Sequence, residues 1–178
     1  FGTLKLFNRL LISYNDFKQA HEIASLLIDG NLYKNYPREN RQLVIALNMA
    51  AIVAYARPFL DSRGELAHNR LPAKILRILS AEEKELHERV LEDRNTMMAH
   101  SDADENESIP LVIEAAGRSI VVPKNASASE TPLTSDAMKL LQDMSFKLQE
   151  RCFELRQQME PEMVQILPRA ETGKPDGA

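Results

Sequence analysis

Arg94, Asn95 and His100, in the stretch EDRNTMMAHSD (residues 92–102), place a fixed cation, an amide and an imidazole close together in sequence. An imidazole exchanges protons near neutral pH without a large pKa shift, and a guanidinium holds an anion through paired hydrogen bonds. Such a set serves acid–base work on an anionic substrate. On a straight helix, residues six apart differ by about 9 Å of rise and about 240° of rotation, so Arg94 and His100 do not share a face. A common site then needs one of three things: a helix that loosens before His100, an arginine that curls round, or a second copy bringing its own pair across a two-fold axis. Asp93, seven residues before His100, lies nearly on its face, and Thr96 is one turn before it. The competing reading is structural. Arg94 and Asp93 are then solvated helix charges, and a protonated His100 is favoured at a helix C-terminus by the macrodipole.

Other residues with chemistry to offer are fewer. Between Arg57 and Arg77, five basic residues (Arg57, Arg63, Arg70, Lys74, Arg77) face two acidic ones (Asp61, Glu65), a net +3 in an acidic chain. This is the best candidate for a phosphate-facing patch, against the alternative of a solvated loop with incidental charges. Tyr55 and Arg57, at the end of an apolar helix, are its most rigidly held neighbours and are expected to line the same cleft as Arg94 and His100. His21 lies on an apolar stripe and reads as a core or interface histidine. His87 and Glu83 are four apart and unrepeated, whereas a carboxylate-bridged two-metal bundle wants glutamate and histidine three apart on paired helices, so no metal is expected. The seven methionines are scattered gap-fillers. The chain carries no Gly-rich phosphate loop, nucleophile elbow or zinc spacing, and no cofactor is expected.

The elements that must position these residues are helical. Leu4, Phe7, Leu10, Leu11, Tyr14, Phe17, His21, Ala24, Leu27 and Ile28 recur at three- and four-residue steps, which predicts a first helix ended by Asp29-Gly30-Asn31. A second runs from about Arg38 to Arg57, apolar almost all round from Leu43 to Tyr55 as a helix in the middle of a bundle would be, and Pro58 stops it. Residues 58–79 form a connection with a short helical turn, whose Leu71, Ile75, Leu76 and Leu79 dock on the core. Ser80 followed by Glu83 is a capping box that starts a third helix, with Leu86, Val90, Leu91 and Met97 inward, reaching about residue 100. The acidic run SDADENES (101–108) breaks it. The β-branched runs 111–113 and 119–122, flanking Ala115-Ala116-Gly117, predict a small hairpin. Thr134 or Ser135 caps a last long helix to about Glu160. The expected fold is all-α, an antiparallel bundle of about four main helices with a small β-hairpin insertion near 109–122, in one domain over 1–167 with a disordered tail at 168–178.

Composition sets the remaining bounds. A chain of 178 residues with 44% hydrophobic and 27% charged residues holds one core. No apolar run is read as approaching the ~20 residues of a bilayer span, so no membrane association is expected. The net charge of −4 gives no overall basic field for gathering nucleic acid, leaving any phosphate contact to a local patch. A single cysteine, Cys152, excludes an internal disulfide and suits a reducing cytoplasm.

The run Arg94-Asn95-Thr96-Met97-Met98-Ala99-His100 resembles the motif of the HEPN superfamily, in which an arginine, usually followed by a polar residue, precedes a histidine late in a helix of an α-helical bundle. It is most similar to branches with "RN", several apolar residues and "AHSD", some of which belong to abortive-infection and toxin–antitoxin systems. The resemblance covers this motif and the all-helical layout. It implies metal-independent endoribonuclease chemistry in a homodimer cleft, acting on RNA, with a possible antitoxin protein as partner. His100 then moves protons, Arg94 stabilises charge on the phosphorane, and Asn95 holds the phosphate or orients the histidine. Tyr55, Arg57, Arg63, Asp93 and Ser101 are the candidate substrate contacts. Where some members carry a modifiable tyrosine two residues after the histidine, this chain has Asp102, which argues against that regulation. The alternative is a non-catalytic helical module for dimerisation or for binding nucleotide or RNA.

Overall fold

The computed structural model describes residues 2–36, 38–61, 70–99, 109–115, 118–124 and 131–168. Four α-helices dominate: α1 (Gly2–Asp29), α2 (Arg41–Ala56), α3 (Ala81–Ala99) and α4 (Ser135–Ile166). The apolar spacing of α1 has the expected effect: Leu10, Phe17, Ala20, Ala24 and Leu27 are buried on one face. That face meets α4 and α2, both antiparallel to it, so α1 is the central helix. Its end is built by a close approach. The Gly30 N–H donates to the Leu26 carbonyl, and a Cβ on Gly30 would sit 2.3 Å from that oxygen. Asn31 follows with φ 54°, a left-handed conformation that asparagine tolerates.

α2 begins three residues later than its pattern predicts, after a 3-10 turn at Leu32–Asn35 that the Asn40 amide secures by donating to the Leu32 carbonyl at 3.0 Å. Pro58 tightens its end into a second 3-10 turn, Arg57–Phe59. Phe17, Tyr55 and Phe59 stack there with ring centroids 5.7–5.8 Å apart. The expectation that α2 lies in the middle of the bundle is corrected. It packs on α1 and more lightly on α3, and its other side is open, with Leu43 48% and Met49 39% exposed. The stretch Arg41–Phe59 is in fact long and apolar enough, by length and composition, to cross a bilayer, and half of it is buried inside the helical body. Within that buried half, the Asn48 carboxamide accepts from the Leu133 N–H at 3.0 Å and ties the start of α4 to α2.

The connection docks as its apolar residues require. Leu71, Ile75 and Leu79 are buried, with a third 3-10 segment at Ala73–Ile78. The capping box is formed, since Ser80 N–H donates to the Glu83 carboxylate (2.7 Å) and Glu83 N–H to the Ser80 hydroxyl (3.2 Å). On α3, Leu86 and Val90 are buried and Leu91 packs on the core, while the Met97 side chain lies outside the described residues. The hairpin is present as β1 (Ile109–Ala115) and β2 (Arg118–Lys124), antiparallel with Val112 opposite Val121. Pro110 and Pro123 face each other, and since neither donates an N–H, their nitrogens turn away from the shared ladder. Val112 and Val121 are 67% and 68% exposed, so the hairpin stands off the helices.

Thr134 caps α4, its hydroxyl accepting from Ala137 N–H. The helix continues past the expected end near Glu160 and through Pro161 to Ile166, because Met163, buried beside Phe7, holds the final turn against the body. Of the tail expected to be disordered, 168–178, residues 169–178 lie outside the described residues.

Candidate functional site

The end of α3 presents the motif. Arg89 and Asp93, one turn apart, approach at 3.8 Å, and burial moves the Asp93 carboxyl above its usual range, against Arg89 and with Glu92. Arg94 is half-buried and its guanidinium donates to the Asn95 side-chain oxygen at 3.2 Å. Among the described residues that amide is its hydrogen-bond partner, and no carboxylate claims the cation. Asn95 is exposed. His100 and Ser101, and Arg63 in the connection, lie outside the described residues. The structure therefore places the cation and the amide of the motif one turn before the end of a helix.

Tyr55 does not line a cleft, and the expectation for it is corrected; Arg57 stays exposed at the end of α2. Tyr55 is fully buried because its ring fills the aromatic cluster with Phe17 and Phe59, and its hydroxyl meets His87 Nδ1 at 3.0 Å. Arg57 is turned back on α1, donating to the Gln19 side-chain oxygen at 2.9 Å and pairing with Asp16 at 3.5 Å. Behind it Arg9, only 5% exposed, donates to the carbonyls of Arg57 (2.7 Å) and Leu60 (3.0 Å). A buried guanidinium thus satisfies the carbonyls left over where α2 ends. Burial lowers the Arg9 pKa, with Asp16 and Asp61 opposing. Arg70, another member of the basic stretch, is paired with Asp61 at 2.7 Å. Two of the five cations in that stretch therefore already have carboxylate partners, at exposed positions.

A second polar group, not foreseen from sequence, lies at the other end of α3. His87 is buried edge-on against Phe59 at 4.6 Å, and burial lowers its pKa, with Glu88 opposing. The Tyr55 phenol is pushed up, by burial first and by Glu83 second. Glu83 is 1% exposed, one oxygen in the capping box and the other taking a 2.6 Å bond from Lys147 on α4. Its burial works against ionisation, yet Lys147 and the Ser80 contacts outweigh it and lower the pKa. Glu83 had a local signal as a cap; its pairing with Lys147, 64 residues away, had none. These contacts are inward and mutual, which makes the group a fastening of α3 to α2 and α4. His21 is likewise engaged, its Nδ1 at 3.1 Å from the Gln142 carbonyl and its ring against Phe146.

Among the described residues, no three His, Cys, Asp or Glu side chains are grouped to hold a metal ion. Cys152 is buried, and burial pushes its thiol up to about 12, with Arg9 opposing. No family model, no curated protein and no solved structure matches the chain.

Proposed function

We propose that the chain is a metal-independent endoribonuclease of HEPN type, acting in the cytoplasm in a defence or toxin–antitoxin setting and completing its site across a homodimer. The observation that carries this reading is the Arg94–Asn95 pair near the C-terminal end of the third helix of an all-helical fold, its guanidinium unclaimed by any carboxylate among the described residues. A half-buried cation with no carboxylate partner among the described residues is available to a phosphate. In the reaction, the 2′-oxygen bonds to phosphorus as the bond to the 5′-oxygen breaks. His100 takes the 2′-hydroxyl proton, the partner's His100 supplies one to the leaving 5′-oxygen, and Arg94 holds the charge on the phosphorane. Asn95 orients one of these two. Arg57, Arg63 and Ser101 remain candidate RNA contacts, whereas Tyr55, buried in the core, takes no part. An antitoxin protein is the partner such a setting calls for.

The test is incubation of the purified protein with a broad RNA panel in the presence of a chelator. Cleavage unaffected by chelator, leaving 2′,3′-cyclic phosphate ends, is the expected result. Absence of cleavage across the panel, or a His100→Ala protein that cuts as well as the parent, removes the ribonuclease and leaves a non-catalytic helical binding or dimerisation module.

A further inference from the structure

Between α1, the Ala73–Ile78 segment and α4 lies a cavity of about 230 Å³, remote in sequence from the motif and unused by the proposed reaction. Leu6 and Leu10 of α1, Pro72 and Ile75, and Leu155 and Met159 of α4 form its walls. Leu10 and Ile75 are almost wholly buried, so the floor belongs to the core. Two polar side chains complete the lining, Lys74 and Gln158, both exposed, and no acidic residue is among the lining residues. Among the described residues, neither Lys74 nor Gln158 has a hydrogen bond or ion pair. Among the described residues Lys74 is therefore a cation without a counter-ion, beside an apolar hollow.

Water gains little there, because a molecule in such a space needs two to four polar partners and the walls offer none. An inorganic phosphate meets the lysine but leaves the apolar walls unused. An apolar cavity of roughly 150 Å³ holds benzene, so this one has room for a body of roughly six to eight carbons. A carboxylate at the end of that body reaches the mouth, where Lys74 supplies a charge-assisted hydrogen bond and Gln158 a second donor. We infer that this cavity binds a small amphiphilic carboxylate, its hydrocarbon body between α1 and α4 and its head on Lys74 and Gln158. Occupancy clamps the Ala73–Ile78 segment to both helices.

The probe is sodium octanoate, titrated calorimetrically into the full chain below its micellar concentration, with butyrate and octanol as comparisons. Octanoate should bind at one site and shift the Met159 methyl resonance. Butyrate, too short for the walls, and octanol, lacking the charge, should each bind about 10-fold more weakly. Lys74→Met, at an exposed position where folding is not at stake, should weaken octanoate about 10-fold, and Lys74→Glu should transfer the preference to octylammonium. The inference is overturned if octanoate shows no saturable binding, if the Met159 methyl is unmoved, if octanol binds as well as octanoate, or if Lys74→Met changes nothing. RNA cleavage does not enter this readout, so its outcome is independent of the ribonuclease reading.

Discussion

Tyr55 and His87 illustrate how a residue can be chosen for the wrong reason. The tyrosine ends an apolar helix, and from sequence it reads as a rigid wall for substrate; in the fold it is buried and its hydroxyl meets a buried imidazole. Nothing local marks that pairing, since the partners are 32 residues apart and are joined only by the packing of α2 on α3. Tyr55→Phe keeps the ring and leaves His87 Nδ1 without this partner, so unfolding stability should fall by about 1–3 kcal/mol, the cost of a buried polar atom left unpaired. An unchanged urea midpoint would show that the 3.0 Å contact contributes nothing. The motif residues separate by a different measure. Arg94→Ala should weaken RNA binding and turnover together, because a guanidinium on a phosphate acts in the ground state and more strongly in the transition state. His100→Ala should reduce turnover by about 10² to 10⁴ while binding is kept, because proton transfer belongs to the transition state alone. Equal effects of the two substitutions on binding would contradict the separate roles given to them.

At the scale of elements, local signals and buried stripes were legible, and the contacts that choose between faces were not. The Ser80–Glu83 box, the Thr134 cap, the glycine stop after α1 and the β-branched runs of the hairpin all act within a few residues, so the sequence states them directly. The depth of α2 is different. Its apolar composition predicts burial all round, but the fold supplies neighbours on only part of its surface, leaving Leu43 and Met49 exposed. The run of α4 through Pro161 was also hidden, because it depends on the burial of Met163. Ser80 and Glu83 provide the test of element-level reasoning. Ser80→Ala removes one cap bond and should cost about 1 kcal/mol. Glu83→Gln weakens both its cap bond and its charge pairing with Lys147, at a nearly buried position, and should cost more than Ser80→Ala. If chemical denaturation ranks them the other way, α3 is not fastened to α4 through this carboxylate.

For the whole molecule, two properties cannot be assigned to any one element. The first is association. If two motifs share one cleft, their ends of α3 must lie near a two-fold interface burying at least roughly 1,000 Å² in total, the lower bound for a specific contact. Light scattering at tens of micromolar should then report a dimer, and a monomer there would argue against a shared site. The second is the response of the fold to acid, in which buried groups pull in opposite directions. His87 has a pKa below its ordinary 6.5 in the folded state, so the unfolded chain takes up a proton first as pH falls, and the stability that the neutral imidazole carries above 6.5 is lost below it. Glu83 also has a lowered pKa; its contribution is present above 4.5 and is lost at more acid pH. Asp16 and Asp93, raised chiefly by burial, act the other way: the cost of holding them ionised is relieved as pH falls from their raised values and is fully removed only at 3.8, whereas the loss from His87 begins at 6.5. Between pH 7.5 and 5.5 the His87 effect should therefore lead, and the melting temperature should fall over that interval. In His87→Gln, which has no group titrating at this position, the decline should be shallower even though the starting stability is lower. A slope as steep in the variant as in the parent would place the acid sensitivity outside the Tyr55–His87 contact.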